Sequence, residues 1–416
     1  MTHTLRIGLI ALAVAAACKK QQPPPAAQVA VLAPLPQKIA AVVSTGTAAM
    51  TAQKPSEQAE KSPPRSPAAP CVEVAPGRDP AIPTLLEQAG RNFEKGRYED
   101  ALECAREASR LEPGSVAAHH FRGAALAELG HVEEARTAYA RALALDPDDP
   151  EVLRSAADLH VRRLGSRDDL ELALVYVKRA VPRATRGKDR QLLKELFLLQ
   201  AMALDDLGRP AEALAAATRA LEHDPRDREA RREKGVALFE LCHFAEARAE
   251  LGKLAEEEPD AWSEHYLGLI AERNQDEVAA AEHFARAQKL DPDAFKPNAS
   301  ASSSIFHKIV QDEVAKLPPE IQKGLARANF AVVDLPEVSD LVATDPPLSP
   351  GILGLFRPPA ENAPEGAKPT ILLYRRNLAR AAHDDGELHR EVRDTLMHEV
   401  GHLNGEDDEQ LRDRGL

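Results

Sequence analysis

The chain has 416 residues, enough for two or three domains, and its 44% hydrophobic content is ordinary for a globular protein. Its formal net charge of −13 argues against a nucleic-acid partner, because phosphate binding requires a basic surface. Aromatic residues make up only 4% of the chain and helix-forming residues dominate, which predicts a mostly α-helical protein.

Residues 1–18 have the pattern of an export signal. Arg6 precedes an apolar run from Ile7 to Ala17, which is too short to span a bilayer as a folded helix, and small residues precede Cys18. The segment resembles a bacterial lipoprotein signal. That resemblance implies lipidation of Cys18 and a lipid-anchored location in the cell envelope, on the periplasmic or outer-membrane side. Cleavage after Ala17 without lipidation, giving a secreted protein, is the alternative.

Residues 19–80 are rich in proline, alanine, glutamine and serine, a composition typical of extended, unpacked chain. We therefore expect a disordered tether here. With Cys18 assigned to the signal boundary, three of the four cysteines remain, so they cannot all pair within one chain. Cys104 and Cys242 lie in predicted helices and are expected to be buried thiols, whereas Cys71 either pairs or stays free.

Residues 81–295 contain a repeat with a period of 34 residues. Pro113 and Pro147 show this spacing, as do Gly96 and Gly130. Small residues let two helices cross closely, and a proline after the second helix prevents it from continuing. The pattern resembles the tetratricopeptide repeat. It implies a solenoid of about six helix pairs, whose concave surface binds a peptide or partner protein, or else serves only as a spacer or dimerisation surface.

The third repeat unit is irregular. It runs from Glu151 to Arg190 and is about ten residues longer than the 34-residue period. We predict that the basic segment from Arg183 to Arg190 forms a loop that lengthens this unit.

Residues 305–416 are predicted to form a small α+β domain after a linker rich in Asn, Ala and Ser. An amphipathic helix begins near Ile305 and ends before Pro318. Three short apolar runs predict strands, at Phe330–Val333, Ile352–Phe356 and Thr370–Tyr374. The acidic residues Asp384, Asp385 and Glu387 begin a long helix, where they offset the exposed backbone amides.

The long helix carries the pattern HExxHxxGxxD. His398 and His402 are four residues apart, so both imidazoles lie on one helix face and can bind one zinc ion. Glu399 projects beside them and suits a general base that takes a proton from water. Gly405 can adopt the positive φ that ends a helix, which lets Asp408 fold back as the third ligand. The fourth position stays open for water.

The same helix also has a core-facing side, because apolar residues recur at helical spacing at Val392, Leu396, Val400 and Leu403. Spacing favours Asp408 as the third ligand over its neighbours Glu406 and Asp407, which are expected to be solvated acids.

The C-terminal segments ILGLFRP, ILLYRRNL, EVRDTLMHEVGHLNG and DDEQLRDRG resemble those of the small bacterial zincin-like metallopeptidases, sometimes called minimal zincins. The resemblance implies a Zn²⁺ ion bound by His398, His402 and Asp408, with Glu399 catalytic and a protein or peptide as substrate. Tyr374 either helps to stabilise an oxyanion or, more simply, packs in the core.

Three interpretations of the C-terminal domain remain open from the sequence. It hydrolyses peptide bonds, it hydrolyses another kind of bond, or it is a structural or inactive zinc domain in a surface-tethered adaptor whose function belongs to the repeats. An intact Glu399 favours hydrolysis, because a structural zinc site does not need that carboxylate. An edge strand is expected to hold the substrate. The sequence does not choose between Ile352–Phe356 and Thr370–Tyr374.

Overall fold

The computed structural model describes residue 71 and residues 81–296, 302–359, 364–407, 410–411 and 414–415. The predicted signal with Cys18, nearly all of the predicted tether, and Asp408 lie outside these residues. Within the described ranges, no helix is both long and apolar enough to cross a membrane.

Antiparallel helices in six successive pairs make up the repeat region, as the 34-residue period predicts. In chain order they are α1 (Ile82–Glu94), α2 (Tyr98–Leu111), α3 (Val116–Glu128), α4 (Val132–Leu145), α5 (Pro150–Leu159), α6 (Arg167–Gly187), α7 (Arg190–Asp206), α8 (Pro210–His223), α9 (Arg228–Glu240), α10 (Phe244–Glu257), α11 (Ala261–Arg273) and α12 (Glu277–Leu290).

Glycines at the helix crossings explain why these pairs pack so closely. A Cβ atom at Gly123 would lie 2.6 Å from the Tyr139 ring, and one at Gly235 would lie 2.6 Å from Leu251. Both partners are 16 residues further along, on the second helix of the same pair. Because real Cβ contacts are longer than 3.0 Å, a side chain at these positions would push the two helices apart.

The predicted basic loop at residues 183–190 is wrong. Helix α6 continues through Pro182 to Gly187 and ends at Lys188, which adopts a left-handed conformation with φ 55°. Ala180 and Ala184 are buried on the core side, while Arg183 pairs with Asp146 at 3.1 Å on the surface. The extra length of the third unit therefore comes from a longer helix, together with a short π-helical turn at His160–Leu164.

Cys104 is not the buried thiol that its helical position suggests. It forms a disulfide with Cys71, which joins the end of the predicted tether to the first repeat pair. Cys242 is a free thiol, but it is only partly buried rather than buried as expected.

The C-terminal domain contains α13 (Ser303–Lys316), α14 (Pro319–Leu325), β1 (Asn329–Val333), α15 (Val338–Leu341), β2 (Gly354–Arg357), β3 (Thr370–Tyr374), α16 (Arg375–Ala381) and α17 (Asp385–Leu403). The strand order is β1-β3-β2, with β1 parallel and β2 antiparallel to β3. One face of the sheet packs on α17 and α13 through a buried apolar cluster that includes Ile371, Leu373, Val392 and Leu396. The predicted small sheet on a long helix is therefore confirmed, and β2 begins two residues later than the sequence pattern suggests.

The repeats contact the C-terminal domain directly. Arg376 on α16 donates hydrogen bonds to Glu272 at 2.9 Å and to Glu277 at 2.7 Å, both in the last repeat pair. Arg380 also donates to Glu272, at 2.6 Å. From the other side, Arg273 donates to the backbone carbonyl of Pro350 at 3.2 Å. The orientation of the C-terminal domain is therefore set by charged contacts with the last helix pair.

Candidate active site

Helix α17 carries the histidine motif and begins with a side-chain cap. The Asp384 carboxylate accepts a hydrogen bond from the Glu387 backbone N–H at 2.8 Å, and the Glu387 carboxylate accepts one from the His383 N–H at 3.1 Å. These reciprocal bonds satisfy amides that have no partner inside the helix. The sequence-based interpretation of these acids as capping groups is consistent with this geometry.

The two motif histidines face each other one turn apart. Their Nε2 atoms are 3.0 Å apart, and His402 Nδ1 lies 2.9 Å from the Glu406 carbonyl oxygen. Because that carbonyl can only accept, it favours a proton on His402 Nδ1 and a lone pair on Nε2. His398 is buried, whereas His402 is only partly buried. The arrangement presents two ring nitrogens to one point near the surface.

The chain turns back after α17 as the motif predicts. Gly405 has φ +89°, a conformation that L side chains rarely adopt. Leu411 then packs against the helix at Gly401, where an added Cβ atom would clash with the Leu411 side chain. Among the described residues, the tight turn at Gly405 precedes Asp408 and the buried Leu411 follows it, while Asp408 itself lies outside the described residues.

The two acids beside Asp408 have other partners. Glu406 pairs with Arg414, at 2.7 Å between Oε1 and Nη1. Asp407 accepts a hydrogen bond from the Gln410 backbone N–H at 2.9 Å. Neither acid is therefore the simplest choice for a third ligand.

Glu399 is fully buried beneath the first residue of β2. A Cβ atom at Gly354 would lie 2.8 Å from Glu399 Oε1 and 2.7 Å from Thr395 Cγ2, so only glycine leaves room for the carboxylate here. This role of Gly354 is not evident from the sequence. The pattern of a short strand that begins with glycine gives no indication of which helix residue lies beneath it.

The histidine pair fits a zinc ion. Two nitrogens bound to one tetrahedral zinc at about 2.0–2.1 Å would lie about 3.3 Å apart, close to the observed 3.0 Å. Among the residues that the structure describes, no group of three His, Cys, Asp or Glu side chains could hold a metal ion. A complete set would need a ligand from outside them, where Asp408 lies.

Comparisons with known families agree with this architecture. The zincin-like metallopeptidase family matches residues 325–416, and tetratricopeptide-repeat families match residues 86–150 and 206–272. The chain is a tetratricopeptide-repeat array followed by a zincin-like metallopeptidase domain.

Similar solved structures are of repeat proteins. The structure of Pseudomonas aeruginosa PilF is 18% identical and matches 51% of this chain and 92% of its own, with a TM-score of 0.44. PilW, a widely conserved type IV pilus biogenesis factor, is 18% identical and matches 55% of this chain and 98% of its own, with a TM-score of 0.45. We draw no functional conclusion from similarity at this level.

One curated protein, a CTR9 homolog from Arabidopsis thaliana, is 38% identical over 73 residues. The match spans 17% of this chain but only 7% of that protein. The activity and partners of the relative therefore do not transfer to this chain.

Tyr374 lies at the end of β3 in the zincin-like domain and is fully buried among apolar side chains that include Leu341, Leu348 and Leu372. Burial raises the pKa of its phenol, and the nearby carboxylates Asp340 and Glu399 raise it further. The phenol therefore stays protonated and can only act as a neutral group. Its position in the core agrees with the packing interpretation.

Proposed function

We propose that the zincin-like domain is a zinc-dependent peptidase. The observation that carries this proposal is the placement of the buried Glu399 directly beside His398, whose Nε2 atom lies 3.0 Å from that of His402. A structural zinc site has no need of a buried carboxylate next to its ligands.

The ligands that we propose are His398, His402 and Asp408. The two histidines present their ring nitrogens to one point. Asp408 is favoured because Glu406 and Asp407 are engaged by Arg414 and by the Gln410 backbone. The tight turn at Gly405 brings the chain back toward the helix at that point.

Zinc bound at this site would polarise the scissile carbonyl and lower the pKa of a water molecule. Glu399 would take a proton from the attacking water and later give it to the leaving amine. No side chain would form a covalent bond with the substrate. Burial of Glu399 places its carboxylate in a low-dielectric environment, where electrostatic interactions with a positioned partner are stronger than in water.

We propose β2 as the strand that holds the substrate. β3 is paired on both sides, with β1 and with β2, so its backbone groups are already used. β2 pairs with β3 on one side only, among the described residues, and its first residue lies over Glu399. An extended peptide that pairs with the other side of β2 would therefore pass the general base.

The repeats would bind a substrate or partner protein on their concave face, as helical solenoids commonly do. We also propose that the protein is exported and anchored through a lipidated Cys18. The Cys71–Cys104 disulfide supports export, because disulfides persist in oxidising compartments outside the cytosol.

The test combines zinc content with cleavage of an unfolded protein substrate, for wild type and for Glu399→Ala. We expect about one zinc per chain in both proteins and a fall in cleavage of roughly 10²- to 10⁴-fold in the variant. Asp394→Ala is a matched control, because Asp394 is an exposed carboxylate on the same helix, and it should cleave like wild type. Absence of zinc, or equal cleavage by wild type and Glu399→Ala, would contradict the proposal and leave function to the repeats.

A further inference from the structure

A cavity of ≈ 360 Å³ lies between the last repeats and the zincin-like domain. The repeat side includes three phenylalanine rings, those of Phe239, Phe284 and Phe295. The side that belongs to the zincin-like domain is formed by Leu353, Asn377 and Ala381. The volume lies at the lower end of the range of about 300–1,000 Å³ that is typical of ligand sites. Any occupant would contact both parts of the protein.

Three of the charged groups around this cavity, Glu272, Arg273 and Arg380, are bound to each other or to the backbone. Glu240 hydrogen-bonds with the Ser349 side chain, and Lys296 also lines the cavity. Arg380 pairs with Glu272 at 2.6 Å, and Arg273 donates to the Pro350 carbonyl at 3.2 Å. His265 also lines the cavity, and burial, together with the nearby Arg380, lowers its pKa to about 3, so it is neutral at physiological pH. The apolar part of the lining, with its three phenylalanine rings, therefore suits an apolar, uncharged group.

The cavity is continuous along the chain with the proposed substrate strand. Pro350, Gly351 and Leu353 line it, and the next residue is Gly354, which lies over Glu399. The Asn377 side chain fixes this segment by donating to the carbonyls of Pro350 and Ile352, at 3.0 and 2.7 Å. At about 3.3 Å per residue, a peptide paired with β2 would reach the cavity within about three or four residues.

We propose that this cavity binds one large apolar side chain of the peptide substrate, aromatic or aliphatic, about three or four residues from the cleaved bond. The inference rests on the proposed peptidase function and adds a substrate class to it. It also gives the last repeats a part in substrate choice, because their aromatic residues form one wall of the cavity.

Binding is tested without cleavage by using the full-length Glu399→Gln protein and two fluorescent peptides, measured by anisotropy. The peptides differ only in carrying Phe or Ala at the anchor position, which is moved stepwise along the sequence. We expect the Phe peptide to bind about tenfold more tightly at one position. Equal binding at every position would overturn the proposal.

A filling substitution tests the cavity itself. Ala285 lines the cavity from α12, and Ala285→Trp in the Glu399→Gln protein should abolish the preference for Phe. Val278→Trp is the matched control, since Val278 is 71% exposed on the same helix and does not line the cavity. A preference that survives Ala285→Trp would contradict the assignment. Displacement of the Phe peptide by free indole, with the preference intact in the control, would support it.

The proposed peptidase function and the proposed role of the cavity can be refuted independently of each other. If Glu399→Gln binds the Phe peptide selectively but the wild-type protein does not cleave it, the peptidase function is wrong and the cavity is a peptide-binding site. If wild type cleaves both peptides with equal KM and kcat, the peptidase function stands and the cavity proposal is wrong. If the anchor is correct, the Ala285→Trp protein with Glu399 intact should show a raised KM for the Phe peptide, whereas the Val278→Trp protein should keep the wild-type KM.

Discussion

Gly354→Ala tests how the zincin-like domain positions Glu399, the proposed general base. The added Cβ would lie 2.8 Å from Glu399 Oε1 and 2.7 Å from Thr395 Cγ2, whereas ordinary contacts begin at 3.4 Å. One side or the other must therefore move by about 0.6–0.7 Å. Gly354 is held in register with Leu373 of the central strand, so the carboxylate is the easier group to displace.

The expected effects on stability and on catalysis differ in size. Overpacking of a buried contact should lower the free energy of unfolding by about 1–3 kcal/mol. A misplacement of 1 Å in a catalytic group costs about 100-fold in rate, so a displacement of about 0.6–0.7 Å should lower kcat by roughly 10- to 100-fold. Zinc content should stay at the wild-type level, because the added methyl group contacts neither His398 nor His402. Measuring zinc content, urea unfolding and kcat on the same preparation separates the effects on metal binding, stability and catalysis.

Two further variants control this experiment. Gly351→Ala adds a Cβ three residues earlier, where the nearest atom is Ser349 Oγ at 3.4 Å, and it should keep a near-wild-type kcat. Thr395→Ser removes Cγ2 and should restore part of the stability of Gly354→Ala without restoring kcat, because the contact with Glu399 remains. A Gly354→Ala protein that cleaves at the wild-type rate, or that loses zinc along with activity, would refute the positioning role.

Three other predictions concern the interface and the disulfide. Glu272→Gln should lower the free energy of unfolding by about 2–4 kcal/mol in urea titrations, because the mostly buried carboxylate binds Arg376 and Arg380. Burial raises the pKa of Glu240 from 4.5 to about 6, so its stabilising contribution is complete below pH 4.5 and is lost as the pH rises through 6. Glu240→Gln should therefore raise the free energy of unfolding at pH 7–8 by about 2 kcal/mol. It should also make the free energy of unfolding depend less on pH between pH 4.5 and 6. Cys71→Ser should cost about 3–4 kcal/mol in the same assay, since the disulfide closes a loop of 33 residues.

Each of these three predictions has a control and a result that would contradict it. Glu282→Gln removes an exposed acid that lies 3.8 Å from Arg286 and should change stability by less than about 1 kcal/mol. An equal effect of Glu272→Gln and Glu282→Gln would show that the interface contributes little. A wild-type protein whose stability does not fall between pH 4.5 and 6, relative to Glu240→Gln, would contradict the effect of burial. For the disulfide, a reducing agent should lower the stability of wild type and leave Cys71→Ser unchanged.

The spacing of small and apolar residues along the sequence predicted most of the fold. The 34-residue period identified the repeat pairs because the small residue at each crossing and the turn that follows it recur in every unit. β3 has the predicted bounds, Thr370–Tyr374, because its apolar run is buried on both faces of the sheet. The segment after Pro182 was assigned wrongly because its arginines suggested a solvated loop. Arginine is a good helix former, and the buried Ala184 keeps that segment on the core.

The features that the sequence did not predict depend on contacts between distant residues. Gly354 lies 45 residues before Glu399, and only the packing of β2 on α17 brings them together. Arg376 and Glu272 are 104 residues apart, and each alone looks like an ordinary surface charge. Cys71 and Cys104 were not paired in advance, because three remaining cysteines give no unique pairing.

The contact between the two parts of the chain lies close to the elements that carry the proposed active site. α16, which binds the last repeat pair through Arg376 and Arg380, directly connects the central strand β3 to the loop before α17. The same short helix therefore fixes the sheet, the start of the motif helix and the orientation of the repeats. A peptide held on the repeats would approach β2 from one set direction, because a change in that direction would require breaking the buried Glu272 pairs. This geometry gives a physical reason for the repeats and the zincin-like domain to occur in one chain.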